Sequence, residues 1–132
     1  MPIVNITALY AAVLALILVV LSVRVIAVRR RLRIAVGDAG DDTLARRIRA
    51  HGNFTEYVPI ALILMLSGEV AGAPAWMLHA LGATLVVGRL THAWSLSAHS
   101  IPGRTIGMTL TFIVLVGGAV MAVAAAVGDF TT

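Results

Sequence analysis

Arg49, Asn53 and Glu56 stand at i, i+4 and i+7 within the string RAHGNFTEYVP. At about 100° per residue they fall near 0°, 40° and 340° on a helix, so all three project from one face across two turns. Arg89, His92 and Leu96 form a second set at i, i+3 and i+7, and Arg104 follows the next chain break. Together these groups offer several arginine forks and few compensating acids, which suits a small, multiply carboxylated anion. Asn53 and Glu56 add partners for an amide or an ammonium, so the ligand inferred is zwitterionic, negative on balance and peptide-like. Each group also has a purely structural reading. Arg49 pairs with Glu56 in a network within the membrane, Arg89 snorkels or pairs with Glu56, and His92 is a packing histidine.

The elements that must carry these residues are apolar. Of the 132 residues 60% are hydrophobic and 12% charged, and the mean hydropathy is +0.99. That balance belongs to an integral membrane protein of a single domain. Four apolar runs can be counted, Ile6 to Ala27, Phe54 to Val70, Pro74 to Leu96 and Ile106 to Val127. Each approaches the roughly 20 residues that cross about 30 Å of hydrocarbon. The expected architecture is all-α, with transmembrane helices over about 6–27, 43–70, 74–97 and 105–127 of one domain spanning 1–132.

Two details refine these helices. The first run has no basic residue before it and no convincing small-residue cleavage site, which reads as a retained helix and not a signal peptide. The second helix is expected to start before the membrane, near Asp42 or Thr43, and to contain Pro59. Pro74 suits the first turn of the third helix, and Glu69 and His79 flank the outer turn as interfacial residues reaching water. The fourth run is rich in Gly and Ala, which permits close backbone approach in a membrane.

Charge orients the chain. All ten basic residues are arginines, and eight of them (24, 29, 30, 31, 33, 46, 47 and 49) lie at or within the first connection. By the positive-inside rule this connection and the one containing Arg104 are cytoplasmic, with both termini on the other side. The cluster lacks interleaved aromatics and sits beside lipid, so nucleic acid is not expected as a partner. The chain has no cysteine. It therefore has no thiolate metal site and no nucleophilic thiol, and any sulfur chemistry must use sulfur brought by a substrate. No metal is expected.

At these residues the chain resembles the MAPEG family, the membrane-associated proteins in eicosanoid and glutathione metabolism. Arg49, Asn53, Glu56, Tyr57 and Pro59 follow the pattern Arg-Ala-x-x-Asn-x-x-Glu-Tyr-x-Pro. The similarity extends to VIAVRRRLRI before it, to GRLTHAWSL and to the PGR preceding the fourth run, and is nearest to the short bacterial inner-membrane branch. The resemblance implies a left-handed four-helix bundle assembled as a homotrimer, with glutathione as co-substrate held between adjacent subunits near the cytoplasmic face. Carried over by position, Arg29, Arg49, His51, Asn53, Glu56, Tyr57 and His92 occupy glutathione-contact positions, and Arg104 that of the thiolate-stabilising arginine. Where better-known members have tyrosines on the third helix, this chain has His92 and Leu96.

The activity so implied is glutathione transfer, or peroxidase chemistry, on apolar electrophiles arriving from the bilayer. A non-catalytic protein binding glutathione or lipid is the alternative. A small proton-coupled exporter would need a carboxylate embedded in its first helix, which this chain lacks.

Overall fold

The breaks between the apolar runs coincide with helix-stop and helix-start chemistry. In the computed structural model, which describes residues 4–128, four helices follow: α1 (Ile6–Leu32), α2 (Asp42–Val70), α3 (Ala75–Ser97) and α4 (Ile101–Ala126). α1 continues past residue 27, where its apolar run ends, as an overhang that carries the arginines. Arg29, Arg30 and Arg31 occupy its last turn, where their charge complements the helix dipole, and Arg33 closes it in a left-handed conformation at φ 56°. Asp41 caps α2, its side chain accepting a 2.7 Å hydrogen bond from the Leu44 N–H. Pro74 is the cap residue of α3 and not its first residue. α4 begins at Ile101, earlier than residue 105, because Ser100 accepts from the Gly103 N–H at 3.2 Å and Pro102 suits a first turn.

The start of α1 is held from outside. Asn5 makes no side-chain cap bond there. Instead Glu69 reaches across from the end of α2. Its Oε1 accepts from the N–H groups of Asn5 (2.9 Å) and Ile6 (2.7 Å), and its Oε2 from Thr7 (2.7 Å). Glu69 thus satisfies orphan donors of a neighbouring helix, in place of the simple water-facing role expected. His79 stays exposed and packs edge-on against Tyr10, whose hydroxyl lies 3.1 Å from His79 Nδ1.

α2 packs against each of the other three helices, α3 and α4 form the most extensive pair, and α1 touches α2 and α3 but not α4. The α3–α4 contact is a backbone contact. A methyl group at Gly107 would stand 2.7 Å from His92 N and 2.9 Å from Gly88 O, so only glycine allows the two helices this close. On α1 the buried residues are Thr7, Leu14, Leu21 and Val28. Their seven-residue repeat is the seam that left-handed helix packing produces.

The molecule is apolar outside and partly polar within. Leu16, Val19, Val20 and Val23 of α1 and Val116, Val120 and Val123 of α4 are exposed, while Asn53, Arg89, His92, Ser95 and Thr111 are buried. α1 and α4 are long and apolar enough to cross a bilayer. Hydrocarbon is the solvent that such a surface fits.

Candidate functional site

The polar stripe of α2 meets α3 and α4 around a cavity of about 620 Å³. From α2 come Arg49, Asn53 and Tyr57, from α3 His92, and from α4 Ile101, Arg104, Thr105, Met108, Thr109 and Phe112. Two guanidinium-bearing residues line this space and no carboxylate does. Glu56 stands beside it as the partner of Arg49, with Oε1 3.7 Å from Nη1 and both side chains more than half exposed. So loose an exposed pair contributes little to stability. A ligand carboxylate can take over Arg49 at small cost.

Behind the lining residue Asn53 lies a buried polar contact. Arg89 is 1% exposed. Its Nη2 donates to Asn53 Oδ1, its Nη1 donates to Thr111 Oγ1 at 3.1 Å, and Thr111 Oγ1 in turn donates to Gly107 O at 2.9 Å. Arg89 therefore neither snorkels to the surface nor pairs with Glu56. It ties α2, α3 and α4 together and holds Asn53, whose Oδ1 is thereby engaged. Arg89 Nε and His92 Nδ1 are buried without a hydrogen-bond partner. Unpaired buried polar atoms are costly, so both ask for a water or a ligand group.

The aromatic and apolar part of the wall lies towards the middle of the helices. Tyr57 and Phe112 meet edge to face, their centroids 5.8 Å apart at 72°. Ile101, Arg104, Thr105, Met108 and Phe112 share one face of α4, a stripe at three- and four-residue spacing. That periodicity, counted from Arg104, was the available signal for a wall that the motif residues alone did not reveal. One site thus joins cationic groups to an apolar flank.

Arg29 and His51 lie elsewhere on the chain. Arg29 Nη1 donates to Gly37 O at 2.8 Å and contacts Ala35 O at 3.4 Å, which pins the first connection against α1. His51 is half-buried and set about 200° round α2 from Arg49. On that other flank, Thr55, Pro59 and Leu62 of α2 and residues of α1 line a second, apolar groove of about 250 Å³. Within one chain, then, Arg49, Asn53, Tyr57, His92 and Arg104 converge, Glu56 adjoins them, and Arg29 and His51 do not.

The sequence profile of the MAPEG family matches residues 7–124 of the chain. The chain belongs to the MAPEG family. Two relatives are each 42% identical over 110 residues, covering 83% of this chain and 84% of the relative. They are the inner membrane protein YecN of Escherichia coli strain K12 and the protein of the same name from Escherichia coli O6:H1. No solved structure matches the chain significantly. As a MAPEG protein with inner-membrane relatives and an aliphatic exterior, it is a protein of the bacterial inner membrane. The MAPEG match runs through every residue that lines the cavity.

Proposed function

We propose that the protein is a glutathione transferase-like enzyme that binds glutathione in the α2–α3–α4 cavity and conjugates it to apolar electrophiles drawn from the bilayer. The observation that carries this reading is the convergence of Arg49, Asn53, Tyr57, His92 and Arg104 on one cavity without a lining carboxylate. Arg49 would fork onto a glutathione carboxylate once released from Glu56, and Glu56 would then face the ammonium. Arg104, in the first turn of α4, would lie beside the sulfur, where guanidinium and helix dipole both favour thiolate over thiol. The thiol proton leaves to solvent, the sulfur forms a bond to the electrophilic carbon, and the leaving group departs with its electron pair. The protein contributes proximity and charge, and glutathione the nucleophile. On a hydroperoxide the same thiolate would attack an oxygen, breaking the O–O bond to release an alcohol, and a second glutathione would convert the resulting sulfenic acid to glutathione disulfide and water.

The assembly proposed with it is a homotrimer whose four helices all cross the membrane, with the arginine-rich first connection cytoplasmic and both termini outside. Arg29 and His51 suit such an assembly, since they lie off the cavity of their own chain and would reach that of an adjacent copy. One observation favours binding without turnover. Leu96, at a position where the resemblance leads one to expect a tyrosine, is a buried core residue without a hydroxyl.

Isothermal titration of the detergent-purified protein with glutathione tests the binding step. Arg49→Ala should weaken binding by more than about tenfold, the loss of one charge-assisted contact. Unchanged affinity in that variant would reject the site.

A further inference from the structure

A second feature with ligand chemistry lies on a different flank of the bundle. Between α1 and α3 runs an open groove of about 440 Å³, walled by Leu16, Val20, Leu90 and Trp94, all at least half exposed. Its floor is apolar until it reaches Arg24, whose Nη2 donates to Ser97 Oγ at 2.7 Å. Beyond this bond, and sharing Arg24 and Ser97 with the groove, a pocket of about 100 Å³ is lined by Thr43, Arg46, Arg47 and His99.

The charges in this pocket are unequal. Arg46 is bonded to Asp42 at 2.8 Å, and the same hydrogen bond holds the Asp42 carboxyl below its usual range. Arg24 and Arg47 have no carboxylate within 4 Å among the described residues. Arg47 Nη1 donates to the Arg24 main-chain carbonyl at 3.0 Å, which holds the Arg47 guanidinium against the backbone of α1, and both arginines line the same small pocket. From Leu16 to Arg24 the helix rises about 12 Å, close to the hydrocarbon depth of one leaflet, about 15 Å. An apolar slot one leaflet deep thus ends at two uncompensated cations.

We propose that groove and pocket together hold one anionic glycerophospholipid of the leaflet on the side of the first connection. An acyl chain lies between α1 and α3, and the phosphate sits between Arg24 and Arg47. A net negative headgroup is favoured over a zwitterionic one because neither guanidinium has a carboxylate within 4 Å among the described residues. The site shares no residue with the α2–α3–α4 cavity, so it stands independently of the glutathione reading.

Trp94 reports on the groove directly. The chain has two tryptophans, and Trp76→Phe leaves Trp94 alone. The protein is reconstituted into phosphatidylcholine vesicles containing a minor fraction of phosphatidylglycerol, with one or the other lipid brominated to quench the indole. Brominated phosphatidylglycerol should quench Trp94 at a mole fraction at least about fivefold lower than brominated phosphatidylcholine, the preference one arginine near an anionic headgroup supplies. Arg24→Gln with Arg47→Gln should make the two lipids equal. Arg30→Gln with Arg31→Gln, which removes the same charge from the exposed end of α1, should leave the preference intact.

Equal quenching by the two lipids in the parent protein would overturn the proposal, and that comparison decides the matter even if the Arg24 and Arg47 variant fails to fold. Loss of preference with either arginine pair would also overturn it, since diffuse surface charge would then suffice. Inorganic phosphate at millimolar concentration should not relieve the quenching. Relief would assign the pocket to free phosphate and contradict a lipid.

Discussion

Asn53 lines the candidate site and also accepts a hydrogen bond from buried Arg89, so a double-mutant cycle on this pair separates framework from ligand contact. Asn53→Leu removes the Oδ1 acceptor and leaves Nη2 of a 1%-exposed guanidinium without its partner. Hydrogen bonds to charged groups contribute about 1.5–3 kcal/mol, and the stranded donor adds to the loss, so the expected destabilisation is about 2–3 kcal/mol. Arg89 Nε already lacks a partner, which leaves Thr111 as the only side-chain acceptor among the described residues. Arg89→Met replaces the cation with an apolar chain of similar reach and should cost less, about 1 kcal/mol or under.

Combined with Arg89→Met, Asn53→Leu should cost little further, giving a coupling of about 2 kcal/mol. The assay is unfolding in mixed micelles by titration with a denaturing detergent, followed by circular dichroism. Additive effects, or an Asn53→Leu loss below about 0.5 kcal/mol, would refute the picture of a buried guanidinium held by Asn53.

Two further outcomes are expected. Glu69→Gln should destabilise the protein by about 1 kcal/mol, because it removes the carboxylate that accepts from three N–H groups at the start of α1. It should leave glutathione affinity unchanged, since Glu69 lies at the far end of α2 from Arg49, and a parallel loss of binding would contradict the placement of the site. The chain has no native cysteine, so a cysteine at Asn5 should react with an impermeant thiol reagent outside intact cells while one at Ala39 should not. The reverse pattern would invert the proposed orientation.

Helix identity and the one-face placement of Arg49, Asn53 and Glu56 were legible in the sequence, because hydropathy and the 3.6-residue period are local properties. The partner of Arg89 was not. Asn53 is separated from Arg89 by 36 residues and Thr111 by 22, and no periodicity on α3 tells which polar group of α2 or α4 faces it. Glu56 carries the opposite charge and was the natural candidate. The structure instead leaves Glu56 beside the cavity with Arg49, both side chains more than half exposed. Glu69 shows the same limit. Its role depends on where α1 begins relative to the end of α2, a packing result that neither segment encodes alone. Gly107 was readable as a small residue in a membrane helix, but its contact with Gly88 and His92 comes only from how α3 and α4 pack.

The proposed binding and ionisation of glutathione in this cavity can be measured on the thiol itself. A spectroscopic pH titration of bound glutathione, following the ultraviolet absorbance of the thiolate in parent protein and in Arg104→Ala, tests both most directly. Bound glutathione should lose its thiol proton at least about one unit below the ordinary thiol value near 8.5. Arg104→Ala should reverse that shift, with turnover of a generic aryl halide at neutral pH falling about tenfold or more while total glutathione affinity changes far less. Glutathione that binds yet titrates as a free thiol, with no turnover, would contradict the account and leave a binding protein in place of an enzyme.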